Sequence, residues 1–200
     1  MVAFAFAELP LKPREEYTNA MIDLERANEI IFGGFYGMED SIRPEAVESI
    51  KAAESAGVRV VMITGDHRVT AEAIAREIGI FKDHDGVLTD EEVDRLSIPD
   101  LAKALGRARI FARITPDHKM KIIKAFKYRG DIVAMTGDGV NDAPSLVAAD
   151  LGVSMGKIGT EVAKEASDIV ILDDNLGTIV AAIEEGRSIL KTIKKVILYL

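Results

Sequence analysis

From residue 45 onward, short apolar runs alternate with longer amphipathic stretches. The runs are rich in Val or Ile and bounded by turn formers, so Val58–Ile63, Arg109–Ala112, Ile132–Thr136, Leu151–Ser154 and Asp168–Leu172 read as strands. They lack polar alternation, as strands covered on both faces should. Between them the pattern predicts helices over 45–55, 69–78, 116–128, 161–165 and from Leu176 to the C-terminus. Strand and helix in alternation define an α/β fold, a Rossmann-like, doubly wound, largely parallel sheet.

Local signals support these elements. Thr89-Asp90-Glu91-Glu92 has capping-box spacing, Thr115-Pro116 places a cap before a proline at the first helical position, and Gly57 and Gly79 can end helices. The first forty residues read differently. Val2–Glu8 and Ile30–Tyr36 resemble strands joined by a polar stretch with Pro10 and Pro13, and the break from Gly37 to Pro44 marks a domain junction.

With 48% apolar and 29% charged residues, the 200-residue chain can bury a core and holds one domain, or one plus a fragment. The absence of cysteine excludes disulfides, thiolate nucleophiles and cysteine-ligated metals. A net charge of −8 argues against a nucleic-acid surface, and an acidic protein that handles phosphate needs Mg²⁺. No apolar run approaches the roughly 18 residues of a membrane span, so the chain as it stands reads as soluble.

Three segments carry chemistry. In Met135-Thr136-Gly137-Asp138-Gly139-Val140-Asn141-Asp142-Ala143-Pro144, a strand runs into glycines flanking a carboxylate. A turn after a strand end projects into the crevice where open α/β sheets bind ligands, and carboxylates there suit Mg²⁺. The ordinary reading, that these are turn formers, fits a lone tripeptide better than ten such residues. Val60-Val61-Met62-Ile63-Thr64-Gly65-Asp66 ends a second strand with a hydroxyl and a glycine amide, either an anion site or a helix cap. Phe111-Ala112-Arg113-Ile114-Thr115-Pro116-Asp117-His118-Lys119 puts a lysine in the first turns of a helix, where the dipole disfavours it unless an anion is near. Lys121 and Lys124 read as solvated surface groups, and His67 and His118 as bystanders without metal-ligand spacing.

In this order the three motifs resemble the phosphorylation domain of P-type cation-transporting ATPases, a branch of the haloacid dehalogenase superfamily, over nearly the whole chain. Gly37-Met38-Glu39-Asp40-Ser41-Ile42-Arg43-Pro44 looks like that family's hinge. Met155-Gly156, Gly159 to Lys164, Asp173-Asp174-Asn175 and Glu185-Gly186-Arg187 are similar to the calcium-pump-like class. The resemblance implies a haloacid-dehalogenase-type sheet divided as follows: 1–39, a remnant of the nucleotide-binding domain; 40–186, the phosphorylation domain; 187–200, a stalk helix leading toward a membrane span. It implies ATP and Mg²⁺ as cofactors, with Thr64, Gly65, Asp66 and Arg113 toward phosphate or nucleotide and Lys119 neutralising the phosphoryl group. Asp138 would bind Mg²⁺, Asn141 and Asp142 would complete the site, and Asp40 and Arg43 would steer domain motion. It also implies the remainder of a pump as partner and the cytoplasmic face of a membrane as location, leaving Ca²⁺, Na⁺/K⁺ or H⁺ open.

The family's nucleophile, the Asp of Asp-Lys-Thr-Gly-Thr, has no counterpart in the sequence. Its strand would lie between those carrying Thr64 and Asp138, and its loss would leave two facing edges unpaired. A fragment, inactive alone in phosphorylation, is the expectation. Asp83-His84-Asp85-Gly86-Val87 imitates the superfamily's nucleophile motif but follows the Thr64 motif and reads as a surface loop. A free-standing phosphatase using Asp83 or Asp85, or a non-catalytic nucleotide- or Mg²⁺-binding module, are the competing readings.

Overall fold

A computed structural model describes residues 2–6, 31–37 and 41–199. The chain divides into two units, residues 1–41 and 42–200, each treated by itself. In the first, β1 (Val2–Phe6) pairs antiparallel with β2 (Ile31–Tyr36), with Val2 opposite Tyr36 and a bulge between Phe4 and Ala5. The polar stretch between them and the junction residue Asp40 lie outside the described residues.

The second unit opens on α1 (Pro44–Ser55), then β3 (Met62–Ile63), α2 (Arg68–Glu77), β4 (Gly86–Thr89), α3 (Asp90–Arg95), α4 (Ile98–Ala104), β5 (Ala108–Ala112) and α5 (Pro116–Tyr128). It continues with β6 (Ala134–Gly137), a 3₁₀ turn over Val140–Asp142, α6 (Ala143–Ala148), β7 (Leu151–Met155), α7 (Glu161–Glu165), β8 (Ile169–Ile171) and α8 (Leu176–Tyr199). All the strand pairs here are parallel, but they form two three-stranded sheets, ordered β3-β5-β4 and β6-β7-β8. Among the described residues, the outer strands β3, β4, β6 and β8 are therefore each unpaired along one side.

The first sheet is covered on both faces. Ile50 of α1, Ala71 and Ala75 of α2, and Ile80 and Phe81 pack on Val87, Ile110 and Ala112. On the other side Val93, Leu101, Leu105, Ile122 and Phe126 of α3, α4 and α5 enclose Phe111. Gly57 and Gly79 end α1 and α2 at φ of +77° and +81°, as expected, and Thr115 and Thr89 head their helices.

Several expectations need correction. The segment after Asp83 is more than a surface loop: Gly86–Thr89 is a parallel strand with Val87 buried, because β5 supplies a neighbour that the short apolar run did not announce. Ile132–Thr136 is not covered on both faces, since Ile132 is 86% exposed and Ala134 and Thr136 are exposed on the unpaired edge strand. Lys121 is not simply solvated; its ammonium donates to the carbonyls of Val93 (2.7 Å) and Asp94 (3.1 Å), tying α5 to the end of α3.

Candidate active site at the carboxyl ends of the strands

Where β6 ends, the chain turns through Gly137, Asp138 and Gly139 into the 3₁₀ turn that presents Asp142. The Asp142 carboxylate folds back under this turn and accepts from the backbone N–H of Gly139 (3.1 Å) and of Asp138 (3.3 Å). Only glycine fits at 137, because a Cβ there would lie 2.5 Å from that of Asp142. From the first turns of α5 the Lys119 ammonium reaches the other carboxylate oxygen at 2.5 Å. Burial works to raise the Asp142 pKa, but the Lys119 hydrogen bond, with the backbone donors, outweighs it and holds the carboxyl below its usual value.

A cavity of about 340 Å³ opens here. Ile63 at the end of β3 and Met135–Asp138 of β6 line it, with Lys119, Asp142 and the starts of α1 and α8. It thus lies across the unpaired edges of the two sheets. The Asp138 backbone carbonyl accepts from Thr160 N–H at 2.8 Å, and Asp138 itself is exposed to the cavity.

Two of its walls carry residues whose place was not legible. Arg43, expected to be a hinge residue, lines the cavity and donates to the Asp174 carbonyl at 2.9 Å. Asp174, in left-handed backbone at φ +56°, caps the next loop, its carboxylate accepting from the backbone N–H of Gly156 (2.7 Å), Lys157 (3.0 Å) and Ile158 (3.0 Å). Burial would raise its pKa, but those donors prevail and lower it. No local pattern marks Arg43 or Asp174 as neighbours 131 positions apart; only the fold joins them.

Thr64, Gly65, Asp66 and Arg113 form a separate group on the same carboxyl edge. Thr64 accepts from the Asp66 N–H (3.0 Å) and donates to its carboxylate (2.9 Å), and the Arg113 N–H donates to the Asp66 carbonyl. Arg113 is exposed at φ +59°, a conformation unusual for a side chain of its size. Thr64 directly follows Ile63 and Arg113 is tied to Asp66, but none of the four lines the cavity. Asn141 is exposed on the 3₁₀ turn. His118 keeps a structural role: its Nδ1 accepts from the Thr115 N–H (3.2 Å) and its Nε2 lies 2.9 Å from the Asp94 carboxylate.

Asp83 and Asp85 lie elsewhere. They precede β4, at the amino edge of the sheet, and Asp83 is paired with Arg76 at 2.7 Å in the open. Neither lines the cavity with Asp138.

Parallel strands flanked by helices, with a Gly-Asp-Gly turn, a lysine and a second carboxylate at their carboxyl ends, accord with an α/β hydrolase, and residues 6–150 match the haloacid dehalogenase-like hydrolase family. The chain belongs to that family. Within it, the chain is 50% identical over 93% of its length to calcium-transporting ATPase 1 of Bacillus cereus, spanning 21% of that protein. It is 47% identical over 96% of its length to calcium-transporting ATPase 1 of Saccharomyces cerevisiae, spanning 20%. A solved zinc-transporting PIB-type ATPase in an E2.Pi state superposes with a TM-score of 0.63 at 28% identity, over 83% of this chain and 23% of that one. The resemblance to P-type ATPases stands, and the chain spans about a fifth of the curated relatives it matches.

Proposed function

We propose that this chain is the phosphorylation-domain part of an ATP-driven cation pump, supplying phosphate and Mg²⁺ contacts to an aspartyl-phosphate cycle whose nucleophile lies outside this sequence. The observation that carries the reading is the seam between the sheets. Of the four strands that lack a neighbour on one side, β3 and β6 both end at the cavity that gathers Lys119, Asp138 and Asp142. A strand bearing the nucleophile would complete the sheet there.

The roles follow from charge. Lys119 is neutralised by Asp142 at rest, and an arriving phosphoryl group would draw on the same ammonium. Thr64, Gly65 and Asp66 would receive phosphate or nucleotide at the neighbouring strand end, Arg113 would reach toward nucleotide, and Asn141 would complete the turn. The carboxylate oxygens at this turn are hard donors that suit Mg²⁺. No group of three or more His, Cys, Asp or Glu side chains among the described residues could cage an ion, whereas Mg²⁺ keeps most of its waters and takes one or two carboxylates. Asp138 would hold it, with Asp142 close by, and the bound ion would offset phosphate charge.

The relatives' names support a calcium-transporting pump, and a membrane-bound whole protein with further domains. Among the described residues, no helix is long and apolar enough to cross a membrane. The phosphatase reading gains nothing from Asp83 and Asp85 at the opposite edge. An amide-resolved titration of the chain with Mg²⁺ tests the metal assignment. Saturable shifts at Gly137 to Asn141, abolished in Asp138→Ala, are expected; shifts that survive this substitution would defeat it.

A further inference from the structure

The amino edge of the β3-β5-β4 sheet has a cavity of its own. The segments leading into the three strands bring Arg59, His84, Asp85, Gly106, Arg107 and Arg109 around about 600 Å³. In a chain of net charge −8, this lining sets three guanidinium groups against one carboxylate.

Two of the arginines are held in place. Arg59 Nη2 donates to the carbonyls of Leu105 (2.6 Å) and Ala108 (2.7 Å), while its Nε is buried without a partner. Arg109 Nη1 donates to Glu54 Oε1 and to the Val60 carbonyl, both at 3.0 Å. Asp85 compensates them weakly: one oxygen stands 3.9 Å from Arg109 Nε, and the other accepts from the Lys82 N–H at 2.8 Å. Burial first, then the like charges of Arg109 and Arg129, press the Arg59 pKa downward against Asp131 and Asp85. Arg107 is exposed, with no side-chain partner among the described residues.

Arg109 is paired with Glu54 and faces Asp85, and Asp131 and Asp85 offset Arg59, so the uncompensated charge is that of Arg107, whose guanidinium fork beside two anchored ones matches phosphate oxygens. The lining contains no Phe, Tyr or Trp, and its one imidazole, His84, is exposed, so it offers guanidinium groups for the phosphate end of a ligand rather than a stacking platform for a base. Its volume falls in the range of small-molecule sites. We propose that this amino-edge cavity is an anion site for a phosphate or diphosphate group, held by Arg107 with Arg59 and Arg109. The site is separate from the carboxyl-edge cavity and does not depend on the function proposed for it.

Pyrophosphate titrated into the chain, followed by amide shifts, tests this. Saturable shifts at Gly86, Gly106 and Arg107 are expected. Arg107→Glu, an exposed position whose unfolding midpoint should stay at the wild-type value, should weaken binding by about tenfold or more. Asp85→Asn, which keeps an acceptor for the Lys82 N–H, should tighten it, and Asp138→Ala should leave it unchanged. Cosedimentation with phosphatidylcholine vesicles, with and without phosphatidylglycerol, identifies the source. Phosphatidylglycerol-dependent binding lost in Arg107→Glu assigns a lipid headgroup, and pyrophosphate binding without it assigns a soluble anion. Absence of saturable shifts, undiminished binding in Arg107→Glu, or shifts confined to the Lys119 region and lost in Asp138→Ala would overturn the proposal.

Discussion

The Asp142 carboxylate accepts from one ammonium and two backbone N–H groups, so Asp142→Ala removes three hydrogen bonds together. A loss of about 2 kcal/mol in urea unfolding at neutral pH is expected, the scale of leaving buried donors unpaired. The pH dependence has a defined sign. Because the folded pKa lies below the unfolded one, this stabilisation is present in full above the ordinary carboxylate range and is lost as pH falls through the lowered folded value. The difference between wild type and Asp142→Ala should therefore shrink in acid. Gly137→Ala pushes a methyl group against Asp142 and should cost roughly 1–3 kcal/mol, with loss of the Lys119 contact visible in the lysine side-chain resonances. Asp142 and Lys119 were each legible as site candidates because both stand in motifs with a clear chemical reason, but that they pair with each other was not. The Arg43–Asp174 contact was not, since it depends on where α1 and α8 begin in space.

Strand β6 shows how an element departs from its own pattern. Ile132 to Thr136 has the unbroken apolar character of a central strand, yet Ile132, Ala134 and Thr136 are exposed. Apolar pattern records the environment a segment suits, and this one suits a strand covered on both faces, whereas the structure leaves one of its faces open. Ile132→Ser should accordingly change stability by less than about 0.5 kcal/mol, whereas Val153→Ala, buried on the adjacent strand β7, should cost roughly 2 kcal/mol. Chemical denaturation of both variants checks the contrast. The long helices and the strands β5 and β7 followed directly from periodicity. Of the short helices, α7 was read between its flanking strands and α3 only through its capping box, while α4 and α6 were missed because six or seven residues carry little period, and β4 is held by pairing with β5 rather than by its own composition.

At the scale of the whole molecule, the second unit holds two three-stranded sheets with Lys119, Asp138 and Asp142 around the cavity between them, and it ends in an α8 whose Ile189, Leu190, Ile193, Val196 and Ile197 are exposed. This arrangement fits the proposal that the chain works within a larger pump, and it makes self-sufficient phosphorylation the decisive question. Electrostatic donors stabilise a transition state but cannot replace an attacking carboxylate. The direct measurement is acid-stable labelling from radiolabelled ATP, on the chain alone and coexpressed with an upstream segment carrying Asp-Lys-Thr-Gly-Thr. The account predicts no label on the chain alone, label on the upstream aspartate when the two are together, and its disappearance in Asp138→Ala. Acid-stable label on residues 1–200 by themselves, lost in Asp85→Asn, would contradict it.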